Sequence, residues 1–165
     1  MPPLISAEPR IESLASEADA EAFRRINEEW ISRLFTLTDD DRKVLKDPFG
    51  QIVAPGGDVL VARIGGGVVV GCVALVPYPN EVVELAKMGV TPQAQGQGVG
   101  RKLVAAAVAR ATELGARRVF LGTNSRLAPA IHLYEGAGFT RITREQLPVA
   151  DYYARADILM ELPLR

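Results

Sequence analysis

Helical and strand-like spacings of apolar residues alternate along this chain. Four segments are predicted as helices from apolar spacing or from helix start and stop signals, namely residues 19–34, 38–46, 98–114 and 129–138. In the first, Phe23, Ile26 and Trp30 fall three or four positions apart and predict an amphipathic helix. The third carries the clearest apolar stripe, and Gly115 follows it at a position favoured for a helix C-cap.

Seven runs have the composition of strands: residues 10–14, 58–64, 67–76, 81–90, 118–123, 139–144 and 156–162. Gly65 and Gly66 separate the second and third runs, and residues 77–80 are predicted as a turn before the fourth. Three strands joined in this way predict an antiparallel meander. The long helix that follows predicts a right-handed crossover to the fifth run, whereas residues 47–57 are predicted as a loop.

This order of elements predicts an α/β fold with a mixed, mostly antiparallel central sheet flanked by helices. A length of 165 residues fits a single domain, here residues 1–165, and 48% hydrophobic residues are enough for one sizeable core.

The charge balance narrows the classes of partner. The net charge of −1 gives no basic excess of the kind that nucleic acid or an anionic membrane would require, so neither partner is expected. A single cysteine excludes an intrachain disulfide, and one histidine with one cysteine argues against a zinc site, so no metal is expected. Cys72 stands in an apolar run and is predicted to be a buried small hydrophobe.

Two further absences from the sequence bear on location. The first eleven residues lack the basic-then-apolar pattern of a signal peptide. No apolar run approaches the roughly 20 residues that cross a bilayer. We therefore expect a soluble, cytoplasmic protein.

A glycine-rich loop between the fourth strand and the long helix carries the strongest chemical signal. Glycine lets backbone amides approach a ligand because no Cβ intervenes, and a helix N-terminus adds unpaired N–H donors and partial positive charge. Arg101 and Lys102 add full charges beside Gly96, Gly98 and Gly100. Together these features predict a site for an anion, with a phosphate group as the natural occupant.

Two familiar phosphate-binding loops do not fit this spacing. A dinucleotide fingerprint requires G-x-G-x-x-G after the first strand of a parallel unit, but here the glycines read G-x-G-x-G after a meander. A Walker loop requires Lys-Ser or Lys-Thr after its glycines, and neither pair follows Gly100. The pattern that remains is [Q/R]-x-x-G-x-[G/A], which Gln95, Gly98 and Gly100 match.

With this loop the sequence resembles the GNAT superfamily of acetyl-CoA-dependent N-acetyltransferases. Residues 84–92 resemble the family's fourth strand and its exit, and residues 124–139 resemble its second cofactor segment. The resemblance extends over about residues 59–162 and implies the GNAT fold, acetyl-CoA as cosubstrate and transfer of an acetyl group to an amine. The cofactor-binding residues that it implies are Met88, Gly89, Val90, Gln95, Gly96, Gln97, Gly98, Val99, Gly100, Arg101, Lys102, Asn124, Ala130 and Tyr134.

The same resemblance implies two catalytic residues. Glu84 would act as the general base, through water, although a solvent-facing carboxylate or a salt-bridge partner for Lys87 is the competing interpretation. Tyr134 would protonate the leaving thiolate, with packing against the sheet as the alternative. Gly89 would form a bulge that splays the strand, and the Val90 N–H would stabilise the thioester oxyanion.

The acceptor is only loosely constrained. It is expected to be a primary amine on a small molecule, an amino acid or a protein, and Tyr78 with Asn80 could line its pocket. Trp30 is expected in the core, and His132 is expected to be exposed on its helix. A homodimer is compatible with the resemblance, because folds of this type often pair through late strands. The alternative function is a non-catalytic acyl-CoA-binding sensor or interaction module.

Overall fold

Strands and helices follow one another in an order close to the predicted one. The computed structural model describes residues 8–149 and 152–164. Its elements are β1 (Arg10–Ser13), α1 (Glu17–Leu34), α2 (Asp39–Lys46), β2 (Asp58–Ile64), β3 (Val68–Tyr78), β4 (Val82–Val90), α3 (Val99–Glu113), β5 (Arg118–Thr123), α4 (Ala128–Gly136), β6 (Thr140–Ile142) and β7 (Ile158–Pro163).

One seven-stranded sheet joins all the described strands in the order β1-β2-β3-β4-β5-β7-β6. The pair β4 and β5 is parallel, and the other neighbouring strands are antiparallel. The meander β2-β3-β4 is present as predicted, and α3 provides the crossover that a parallel neighbour requires. The predicted mixed, mostly antiparallel α/β fold is confirmed.

Successive side chains of a strand point to opposite faces of the sheet, and apolar side chains occur on both faces. Helices cover each face. In β2, Leu60 faces the layer that α3 covers, where Leu103 and Ala107 are fully buried. Its neighbour Val59 faces the opposite layer and packs with Phe23 of α1. None of the helices in the described ranges has the length and apolar character needed to cross a membrane.

Cys72 lies in the α1 layer and is fully buried, as predicted. Burial raises the pKa of its thiol to about 12. The side chain therefore behaves as a small apolar group with no accessible thiolate at neutral pH.

Two local predictions were wrong. Residues 47–57 contain a π-helical turn, Phe49–Val53, whose buried Ile52 packs under the sheet. The hairpin after β3 turns later than predicted, because Pro77 still pairs with Val83. The three residues between the paired Tyr78 and Val82 make the turn instead. Of these, Asn80 and Glu81 have positive φ (67° and 61°).

Candidate active site

A cleft of about 510 Å³ opens where β4 and β5 separate. The two strands pair only from Val82–Glu84 opposite Arg118–Phe120, whereas β4 continues to Val90 without β5 beside it. The cleft is lined by the C-terminal end of α1, the second half of β4, the glycine loop, the β5–α4 region and the segment before β7. A linear ligand can therefore thread between the strands.

The glycine loop forms one end of this cleft. Gly98 is the N-cap of α3 with φ +85°, a left-handed conformation that favours glycine, and it makes no side-chain cap. The first helical bond runs from the Lys102 N–H to the Gly98 carbonyl, so the three preceding amides have no partner within the helix. Unpaired amides at a helix start, with the cleft-lining Arg101 beside them, have the chemistry that an anion site requires.

Gln95 fixes the loop to the end of β4. Its side-chain amide donates to the Val90 carbonyl at 3.0 Å, so that carbonyl points away from β3. The next N–H along, that of Thr91, donates to Val70 on β3 at 2.8 Å. Since successive N–H groups of a strand point in opposite directions, the Val90 N–H faces the cleft.

The bulge in β4 lies at Lys87 and Met88 rather than at Gly89. Gly89 is paired with Cys72, whereas Lys87 and Met88 together oppose the single residue Val73 of β3. Lys87 has φ +53°. Gly89 is needed for space, because a Cβ there would lie 2.9 Å from Cδ1 of Trp30. Trp30, which was expected in the core, is half-buried. It packs against the α1 layer and also lines the cleft.

Glu84 lies at the other end of the cleft and is 4% exposed. Tyr152 donates to its Oε2 at 2.5 Å and Tyr78 donates to its Oε1 at 3.0 Å. Burial raises the pKa of this carboxyl above its ordinary value, and the two tyrosine hydroxyl groups and Lys87 only partly oppose the rise. A raised pKa favours a base that works near neutral pH. Glu84 is therefore not the solvent-facing carboxylate of the competing interpretation.

Lys87 pairs with Asp41 rather than with Glu84. Its Nζ lies 2.7 Å from Asp41 Oδ1, and Arg155 donates to both oxygens of the same carboxylate at 2.7 and 2.8 Å. Burial disfavours the ionised form of Asp41, but the bonds from Arg155 and Lys87 hold the pKa of that carboxyl well below its usual range. This cluster joins α2, β4 and the segment before β7.

Tyr134 is buried on α4 and lines the cleft. Its ring meets that of Phe139 edge-on, with centroids 6.0 Å apart, so the predicted packing role is present as well. Burial raises the pKa of the Tyr134 phenol, which makes it a weaker acid than an exposed tyrosine.

Asn124 lines the cleft, but both ends of its side-chain amide have protein partners. Its Nδ2 donates to the Arg155 carbonyl at 2.6 Å, and its Oδ1 accepts from the Arg126 N–H at 2.9 Å. The residue thus ties the β5–α4 turn to the segment before β7.

The structure brings most of the predicted site residues into this one cleft. Lining it are Glu84, Met88, Gly89, Val90, Gln95, Gly96, Gly98, Val99, Gly100, Arg101, Asn124, Ala130 and Tyr134. Gln97 and Lys102 do not line it, because Gln97 turns back to the Gln93 carbonyl and Lys102 pairs with Glu8. His132 is exposed, as predicted.

Sequence reasoning missed the segment before β7. Tyr152, Tyr153 and Arg155 all line the cleft, and Tyr152 contacts the predicted base directly. The available signal was a pair of adjacent aromatic residues in a polar stretch between two predicted strands, since loops carry binding residues more often than packing residues.

Comparison with known proteins agrees with this geometry. The model of the acetyltransferase (GNAT) family matches residues 17–139. The uncharacterized N-acetyltransferase YjgM of Escherichia coli is 32% identical over 134 residues, which cover 76% of each chain.

Two solved structures share the fold. An acetyltransferase of the GNAT family from Staphylococcus aureus superposes with a TM-score of 0.85 at 20% identity, covering 94% of this chain and all of that one. The protein yncA of Salmonella typhimurium, solved with its cofactor acetyl-CoA, has a TM-score of 0.74 at 25% identity, covering 96% of this chain and 95% of that one. Since the family model matches well over half of the sequence, this chain belongs to the GNAT family of acetyltransferases.

Proposed function

We propose that this protein transfers the acetyl group of acetyl-CoA directly to a primary amine. The observation that carries the proposal is a single cleft with the glycine loop and the N-terminus of α3 at one end and the buried carboxylate of Glu84 at the other. One ligand with a phosphate group and a long arm would fill the first part and present its reactive end to the second.

The cosubstrate would be held mainly by backbone groups. The free amides at the start of α3 and the Arg101 side chain suit the pyrophosphate, and the exposed edge of β4 suits the pantetheine arm. The Val90 N–H faces the gap and would donate to the oxygen of the tetrahedral intermediate.

Glu84 would serve as the general base for the amine. An alkyl amine with a pKa of about 10.4 arrives protonated and must lose a proton before it attacks. Glu84 is deeply placed, so the proton would reach it through an intervening group rather than by direct contact with nitrogen.

Tyr134 would stabilise the departing thiolate. A thiol has an ordinary pKa of about 8.5, well below that of a buried phenol, so full proton transfer from Tyr134 would be uphill. We therefore expect a hydrogen bond from its hydroxyl to the thiolate. The proton that the thiolate finally gains would come from solvent or from the acceptor nitrogen.

The acceptor would approach from the side opposite the loop, near Trp30, Arg33 and Phe35 at the end of α1. Aromatic and cationic side chains there suit a small amine that also carries an apolar or anionic part.

The decisive experiment is an amine screen with the wild-type protein and acetyl-CoA, read as released free thiol. The panel should contain α-amino acids, aliphatic diamines, amino sugars and a lysine peptide. Amine-dependent thiol release supports the proposal and defines the acceptor class. Measurable binding of acetyl-CoA without acceleration by any amine would favour the sensor function instead.

A further inference from the structure

The carboxylate of Glu84 is held by two tyrosines that differ in where they lie. Both donate to it, Tyr152 at 2.5 Å and Tyr78 at 3.0 Å. Tyr152 lines both the main cleft and a second hollow beside it, whereas Tyr78 lines the second hollow and not the main cleft. Two tyrosine hydroxyl groups therefore donate to Glu84, but only that of Tyr152 belongs to a residue that lines the cleft in which the reaction would take place.

The backbone of β5 is adapted to seat Tyr152 across the cleft. A Cβ on Gly122 would lie 2.2 Å from Cε2 of Tyr152, so only glycine leaves room for this ring. The ring also meets Phe120 edge-on at 5.7 Å between centroids. Tyr152 thus rests on β5 while its hydroxyl reaches Glu84 on β4, at the last paired position before the two strands separate.

We propose that Tyr152 is a catalytic residue that relays a proton from the acceptor amine to Glu84. The inference rests on the proposed acetyltransfer function and adds to it a group that the sequence did not indicate.

The relay balances without any further reactant. As the acceptor nitrogen approaches, its N–H bond breaks and that proton bonds to the Tyr152 oxygen. The original O–H bond of Tyr152 breaks at the same time, and its proton bonds to Oε2 of Glu84. The nitrogen lone pair is then free to attack the thioester carbon, and Glu84 later returns the proton to solvent.

The electrostatic surroundings favour a concerted relay. Within residues 8–149 and 152–164, the titratable groups that act on Glu84 are Tyr78 of β3, Tyr152 of the segment before β7 and Lys87 of its own strand. Burial and the nearby carboxylate raise the pKa of the Tyr152 phenol, so a free tyrosinate is disfavoured. The tyrosine must gain one proton as it gives up the other.

The test compares Tyr152→Phe with Tyr78→Phe across pH, using an amine that the wild type acetylates. Each change removes one hydroxyl from Glu84, so both should move the acidic limb of kcat/KM to higher pH. Between that limb and the pKa of the amine, the kcat/KM of Tyr152→Phe should lie about 100-fold below that of Tyr78→Phe, because only Tyr152→Phe lacks the relaying hydroxyl. Equal plateau rates in the two variants would overturn the relay and leave Tyr152 a positioning residue.

Two further measurements guard against a folding artefact. Both variants should bind coenzyme A as the wild type does, and their melting curves should shift down by similar amounts, because each leaves Glu84 with one hydrogen bond fewer. In the wild type itself, a plot of kcat/KM against the fraction of D₂O should be curved, because two protons move in one step. A linear plot would contradict the relay. A wild type that turns over no amine would refute the proposed function together with the relay, whereas an active wild type with equal plateau rates in the two variants refutes the relay alone.

Discussion

The ammonium group of Lys87 lies 2.7 Å from the carboxylate of Asp41, and both side chains are almost completely buried, at 5% and 0% exposed. Lys87 is the residue of β4 with a left-handed backbone, at the bulge beside the cleft. Asp41 stands in the first turn of α2 and also closes a capping box with Thr38. The pair thus fixes the position of a strained strand residue relative to a helix that covers the sheet.

Removing the negative charge of this pair should be costly. Asp41→Asn keeps the shape but leaves Lys87 and Arg155 without their counter-charge, and breaking a buried ion pair on one side costs about 3–5 kcal/mol. Urea unfolding at pH 7 should show this loss of free energy. Asp40→Asn, in the same helical turn but exposed, should change it by less than about 0.5 kcal/mol.

The stability lost in Asp41→Asn should also depend on pH. Because the folded pKa of Asp41 is depressed, its contribution to stability is present above the ordinary carboxyl pKa of 3.8 and is lost as pH falls further below it. The difference between wild type and Asp41→Asn should therefore shrink below about pH 4. An equal loss in Asp41→Asn and Asp40→Asn at pH 7 would show that the cluster contributes nothing.

Positions of the elements could be read from the sequence because their signals are local. β2 and β5 begin and end at the predicted residues, since a run of strand formers bounded by turn residues needs no distant information. The loop around Gly98 was also recognisable, because its backbone conformation demands glycine.

What the sequence did not contain was the pairing of distant side chains. Tyr152 and Glu84 are 68 positions apart, and the segment that carries Tyr152 has neither helical nor strand periodicity. Lys87 could have paired with Glu84 three residues away, but the bulge turns it towards Asp41. Such choices depend on tertiary geometry, so the cofactor end of the site was predicted more fully than the end where the amine would react.

Glu84→Gln should slow transfer and stabilise the fold. Loss of a general base should lower kcat/KM by about 10²–10⁴ and remove the acidic limb of its pH profile. The carboxyl has a raised folded pKa, so its contribution to stability is most favourable at low pH and declines as pH rises past 4.5. Between pH 4 and 8, the free energy of unfolding of Glu84→Gln should therefore rise relative to that of wild type as the pH increases.

Glu81→Gln provides the matched control for this change. Glu81 is exposed in the turn before β4, where its partner Arg117 is 4.0 Å away. The acetylation rate of Glu81→Gln should match that of wild type, and its free energy of unfolding should change by less than about 0.5 kcal/mol. Full activity of Glu84→Gln would show that another group removes the proton.

Tyr134→Phe should affect turnover more than binding. The lost hydrogen bond to a thiolate is worth about 1.5–3 kcal/mol, which predicts a 10- to 100-fold fall in kcat with an unchanged Kd for acetyl-CoA. Tyr153→Phe removes another phenol of the same cleft, one that lies 3.5 Å from Lys87, and should cost less than about threefold. Stopped-flow release of thiol and calorimetric titration of the cosubstrate separate the two effects. Equal rates in these two variants would contradict the role given to Tyr134.

Two neighbouring glutamines of the glycine loop should differ in their effect on acetyl-CoA. Gln95 lines the cleft and bonds the Val90 carbonyl, so Gln95→Ala should loosen the loop against β4 and raise the KM for acetyl-CoA about tenfold. Such a change corresponds to about 1.4 kcal/mol, the size of an ordinary hydrogen bond. Gln97 points back to Gln93 outside the cleft, so Gln97→Ala should stay within twofold of wild type. Steady-state kinetics at saturating amine measure both values, and a larger effect at Gln97 would mean that the cosubstrate lies on the outer side of the loop.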